Sequence, residues 1–155
     1  FLEVQTRVVM RYGGTIDEVL GDALLVLFGA PVAQEDDADR AVACALAMQQ
    51  AMREVRARNE AMGLPTLGMG IGLHRGEAVV GNIGTEERAK YGVVGAVVNL
   101  AARIDSLTTG GQVLASAALR DAVKAPLEWR DERSFEPKGA AEPLRVAQVD
   151  AIGAP

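Results

Sequence analysis

Residues Thr15 to Pro31 read TIDEVLGDALLVLFGAP. Two short apolar runs are joined here by Gly21-Asp22. Glycine at the first central position of a two-residue loop is the signature of a type II′ turn. The stretch therefore predicts a β-hairpin over Thr15–Phe28, with one carboxylate, Asp22, held at its tip. Taken alone, an aspartate in a tight turn is a turn former. Its surroundings decide whether it does more.

On the N-terminal side, Phe1, Val4, Val8, Val9 and Tyr12 are spaced for one helical face, and Gly13-Gly14 supplies the stop. On the other side, Gly29 and Pro31 end the hairpin. Gln34-Glu35-Asp36-Asp37 then places negative charge where a helix starts. Ala38 to Met62 is the longest helical pattern, with Ala41, Cys44, Ala45, Met48, Met52 and Val55 in one stripe. Cys44 reads as a small core residue. Gly63-Leu64-Pro65 breaks the helix. Leu67 to Ile83 then follows a strand pattern dense in glycine.

The glycines at 68, 70 and 72 resemble a dinucleotide fingerprint only superficially, because no helix follows to receive a pyrophosphate. Glycine at alternate strand positions instead bares one face to a close neighbour. A polar loop over Gly84–Lys90 leads to a short strand, Tyr91–Val94, and a helix over Val97–Leu107. Asn99 and Arg103, four apart, share one face of that helix. Gln112–Ala115 reads as a strand, and Ser116 caps a helix running to about Val123. Trp129–Phe135 and Leu144–Val149 form a last strand pair, with Pro137-Lys138-Gly139 in the connection. The alternation of hairpins and helices predicts an α+β domain with a mostly antiparallel sheet. Residues 1–150 make one domain and residues 151–155 a tail.

The chain has 155 residues, of which 49% are hydrophobic, enough for one sizeable core; aromatics are only 4%, so that core is aliphatic. A net charge of −5 argues against a nucleic-acid-binding surface, though not against a nucleotide carried with a divalent metal. The single cysteine fits a reducing compartment, so a cytoplasmic location is expected. No apolar run approaches the roughly 20 residues of a membrane-spanning helix. His74, the lone histidine, has no cysteine or second histidine to form a metal set, and no serine sits in a G-x-S-x-G elbow. It reads as a structural strand residue.

Four segments in this order, GGTIDEVLGDALLVLFGAP, GIGLHRGEAVVGNIG, YGVVGAVVNLAAR and EPKGAAEPLRV, resemble the catalytic domain of class III nucleotidyl cyclases. The resemblance covers nearly the whole chain. It implies a ferredoxin-like α+β domain working as a homodimer with active sites at the subunit interface. It also implies conversion of a nucleoside triphosphate to its 3′,5′-cyclic monophosphate and pyrophosphate, with two Mg²⁺ or Mn²⁺ ions. Asp22 matches a metal-binding aspartate. Asn99 matches the residue that positions the ribose, and Arg103 the one that stabilises charge on the α-phosphoryl oxygens. Lys138 matches a lysine that contacts the terminal phosphates.

At the base-reading positions, the resemblance assigns Glu18, four residues before Asp22, and Gly92. Adenylate cyclases typically carry lysine at the first and aspartate or threonine at the second. Glutamate accepts from guanine N1–H and N2–H₂ together, so GTP is expected over ATP. Gly92 leaves guanine O6 to a backbone N–H or a water. Glu77 stands where some members have a phosphate-binding arginine. The family's other metal aspartate and its first strand correspond to sequence upstream of Phe1. The stretch of 155 residues alone is therefore expected to be inactive. The competing readings are an adenylate cyclase, an inactive cyclase-like dimerisation or regulatory module, and a generic ferredoxin-like ligand-binding domain.

Overall fold

A computed structural model describes residues 2–20, 23–29, 33–66, 68–77, 79–83, 90–136 and 143–153. Helix α1 spans Leu2–Arg11. Gly13, at φ +76, takes the left-handed conformation that closes a helix, and Gly14 N–H reaches back 3.1 Å to Val9 O. Strands β1 (Thr15–Leu20) and β2 (Ala23–Leu27) pair antiparallel as expected. The sequence did not signal the irregularity between Ile16 and Glu18, where Asp17 is left without a cross-strand partner. This bulge lets Ile16 join Leu24, Val26 and Phe28 on the core face.

Helix α2 runs Asp37–Ala61, one residue earlier at each end than its apolar pattern indicated. Its buried side chains include Ala41, Cys44, Ala45, Met48 and Met52, while Val55 is only partly buried. Gln49 is buried too. Its amide donates to Met69 O (2.6 Å) and Gln112 O (3.1 Å), which satisfies a polar group inside the core.

The glycine-dense stretch is not one strand. It gives β3 (Ile71–Leu73) and β4 (Val79–Ile83), which lie in different sheets, with a bend through His74–Glu77 between them. Strand β4 pairs antiparallel with β5 (Lys90–Val94). Helix α3 (Ala96–Ser106), β6 (Val113–Ser116), α4 (Ala117–Ala122), β7 (Leu127–Phe135) and β8 (Leu144–Ile152) complete the chain. Strand β8 continues past Val149, where its apolar pattern weakened, because Ile152 pairs with Leu127 and packs on the core.

The largest sheet has the order β3-β6-β8-β7. Strands β3 and β6 are parallel, and β8 is antiparallel to both its neighbours. With β1–β2 and β4–β5 also antiparallel, the fold is the expected α+β arrangement with a mostly antiparallel sheet. Every residue of β6 is buried, because the strand is covered on both faces. Val113 and Ala115 meet α2 through Val42 and Ala45, whereas Leu114 joins Ile104 of α3 and Val146. The molecule is thus layered, with α2 on one face of this sheet and α3 on the other.

Candidate functional site

The β1–β2 ladder ends in the pair Leu20–Ala23, which brackets positions 21 and 22. Asp22 itself lies outside the described residues, as do Pro31, Lys138, Gly139 and the polar loop at 84–89. Glu18 pairs with Leu25. Leu24 and Val26 point to the core, so the alternation of β2 places Leu25, and Glu18 opposite it, on the other face of the hairpin. Strand β1 lies against β5, in which Gly92 pairs with Gly81. The two positions that the resemblance assigns to base reading therefore sit on neighbouring strands.

The base of the hairpin is anchored by Arg40, a residue the motif reading passed over. Its guanidinium donates to Tyr12 O (2.9 Å), pairs with Asp36 and Asp37, and lies 5.6 Å from the centroid of the Phe28 ring. Acids three and four residues before an arginine at a helix start were the available signal.

Helix α3 leaves β5 directly and packs on β3. Its backbone comes very close. A Cβ built on Gly72 would meet Ala101 O at 3.0 Å and clash with the Asp105 backbone; one on Gly70 would run into Thr108, and one on Gly68 would lie 2.8 Å from Gly110 Cα. Gly72 thus admits α3 itself, while Gly70 and Gly68 admit the segment that follows it, at Thr108 and Gly110. On the opposite side of α3, Asn99 and Arg103 are exposed, and among the described residues neither side chain has a hydrogen-bond or ion-pair partner. Asp105, pressed towards β3, has its carboxyl pushed up by burial.

His74 follows β3 and places Nδ1 2.8 Å from Ser116 Oγ. Ser116 is fully buried and caps α4 by accepting from Leu119 N–H at 3.3 Å. Burial pulls the His74 imidazole below its ordinary value of 6.5. The imidazole and the Ser116 hydroxyl share one hydrogen bond, whose direction is set by the tautomer of the ring.

Among the described residues no group of three or more His, Cys, Asp or Glu side chains could hold a metal ion, and no helix is long and apolar enough to cross a membrane. The metal assignment rests on Asp22 alone. A single carboxylate there is a hard oxygen donor of the kind Mg²⁺ and Mn²⁺ favour.

The family model described as adenylate and guanylate cyclase catalytic domain matches residues 7–145. Adenylate cyclase 1 of Rhizobium meliloti is 32% identical over 98% of the chain, which spans only 23% of that relative's length. Among solved structures, the guanylyl cyclase Cya2 superimposes with a TM-score of 0.93 at 49% identity, covering 99% of this chain and 78% of that one. The adenylyl cyclase CyaB from P. aeruginosa gives 0.87 at 32% identity, covering 97% and 78%.

Proposed function

Since the chain belongs to the family of adenylate and guanylate cyclase catalytic domains, we propose that it converts a nucleoside triphosphate, GTP in preference to ATP, into the 3′,5′-cyclic monophosphate and pyrophosphate. The 3′-oxygen attacks the α-phosphorus, the bond to the bridging oxygen breaks, and pyrophosphate leaves.

The observation that carries the reading is α3, with Asn99 and Arg103 on its exposed side and its other side seated on β3. Two polar side chains, four apart and without partners among the described residues, fit a ligand supplied from outside the subunit. Asn99 holds the ribose so that its 3′-oxygen faces the phosphorus. Arg103 presents a planar fork to the α-phosphoryl oxygens as charge builds there. Lys138 neutralises the terminal phosphates. Asp22 would hold the divalent cation, Mg²⁺ or Mn²⁺, whose charge would help ionise the 3′-hydroxyl and screen the triphosphate. The site is completed between two copies of the chain, with Asp22 of one subunit facing Asn99 and Arg103 of the other.

GTP preference is supported by Glu18, on the hairpin face turned from the core and beside the strand of Gly92. The identity to a guanylyl cyclase structure points the same way. The test is to incubate the full-length protein with each nucleotide and Mn²⁺ or Mg²⁺ and to resolve the products chromatographically. Cyclic nucleotide and pyrophosphate in equal amounts, with cyclic GMP dominant, are expected. Release of nucleoside diphosphate and phosphate instead would refute the assignment.

A further inference from the structure

Helix α3 starts without a side-chain cap. Gly95 stands at its N-cap with φ +148, and no side chain accepts from the first turn. The place of that turn is therefore set by what packs against it. Gly76, in the bend after β3, does so: a Cβ built there would lie 3.2 Å from Val97 Cβ and Cγ2 and 3.9 Å from His74 Nε2. Val97 is one residue into the helix and two before Asn99.

Every second residue through β3 reads Gly68, Gly70, Gly72, His74, Gly76, and of these Gly72 and Gly76 lie against α3. His74 is the one bulky member of that row. Its Nδ1 is tied to Ser116, itself fixed at the start of α4. The imidazole thus stands between the α4 cap, to which it is bonded, and Gly76, which lies beside the first turn of α3.

We infer that His74 is a positioning residue for the cyclisation site: hydrogen-bonded to Ser116, it wedges the bend at Gly76 against Val97 and so sets where α3 presents Asn99 and Arg103. The inference rests on the proposed cyclase reaction and its two-subunit site. Misplacing a catalytic group by an ångström costs about 100-fold in rate. His74→Leu, close in volume but unable to bond Ser116, should lower kcat about 10- to 100-fold while the KM for nucleotide stays within about threefold. His74→Asn, which can still bond Ser116, should recover part of the loss.

The decisive experiment mixes subunits of the full-length protein. The control pair, Asp22→Ala with Arg103→Ala, should regain activity, since one of the two interface sites is then whole. Its failure, with heterodimers demonstrably present, would overturn the two-subunit site and the role of His74 with it. Given a working control, His74→Leu mixed with Asp22→Ala should regain activity, and His74→Leu mixed with Arg103→Ala should not. A general loss of stability would not sort in this way. If His74→Leu restores activity equally with both, or if alone it turns over like wild type, His74 does not act through α3. Should His74→Leu fail to dimerise, His74→Asn and Ser116→Ala are scored by the same mixing, with the same outcomes deciding.

Discussion

At the scale of single residues, the proposed choice of base rests on Glu18. An acceptor facing guanine N1–H and N2–H₂ is satisfied, whereas adenine N1 would bring a second acceptor with no proton between them. Buried polar groups left unpaired cost about 1–3 kcal/mol each. The kcat/KM ratio should therefore favour GTP by roughly 10- to 100-fold. Glu18→Lys alone should mainly harm GTP use, and Glu18→Lys with Gly92→Asp should invert the preference. Wild type favouring ATP would mean that Glu18 does not read the base. Cys44 makes a second residue-level prediction. It is 2% exposed in α2, and burial pushes its thiol up to about 11. About one thiol in a thousand is thiolate at pH 8, so Ellman's reagent should label the folded protein slowly and the unfolded protein at once.

At the scale of elements, the proposed chemistry depends on how closely α3 lies on β3. Gly72 sits beneath the segment Ala101–Asp105, which includes Arg103. Gly72→Ala would force the helix outward at that point. Overpacking of this kind costs about 1–3 kcal/mol, and the displaced helix should lower kcat about 10- to 100-fold. Gly63→Ala, where nothing lies within 4 Å of the added carbon but φ is +70, should lower thermal stability and leave kcat unchanged. Paired kinetics and melting curves distinguish the two. The hairpin is held in turn by Arg40, and α2 also reaches across to the α4–β7 connection, where Asp39 accepts from Lys124 N–H (2.9 Å) and Ala125 N–H (3.0 Å). Helix α2 is therefore the element against which both the hairpin and the β7–β8 pair are referenced.

At the scale of the molecule, two titratable groups that folding partly desolvates make stability depend on pH in opposite senses. Burial lowers His74 below 6.5 in the folded state, so the unfolded chain binds this proton more readily. Its contribution is present in full above 6.5 and is lost as pH falls towards the folded value. Asp105 is raised above 3.8, so its contribution is present below 3.8 and lost as pH rises through its folded value. Melting temperature should accordingly fall between about pH 7.5 and about pH 5.5, and His74→Asn should flatten that slope. An unchanged slope in the variant would assign the acid sensitivity to other groups.

The amino-acid order by itself determined the helices of α1 and α2 to within a residue or two, the antiparallel hairpin, the Ser116 cap and the spacing of Asn99 and Arg103. Each follows from local periodicity, capping or turn chemistry, which act over a few neighbouring residues. The roles proposed for those side chains rest on four motifs in order, since Asn99 and Arg103 alone look like any solvated helix face. Tertiary structure decided the rest. Gln49 is buried despite its polar amide because that amide finds Met69 O and Gln112 O, which come from other segments of the chain. The glycine-rich stretch divides between two sheets because β3 finds its parallel partner in β6 and β4 pairs with β5. Strand β8 reaches Ile152 because Leu127 lies opposite. Long-range pairing and the close seat of α3 on β3 are properties of surfaces brought together on folding, and no window of sequence contains both surfaces at once.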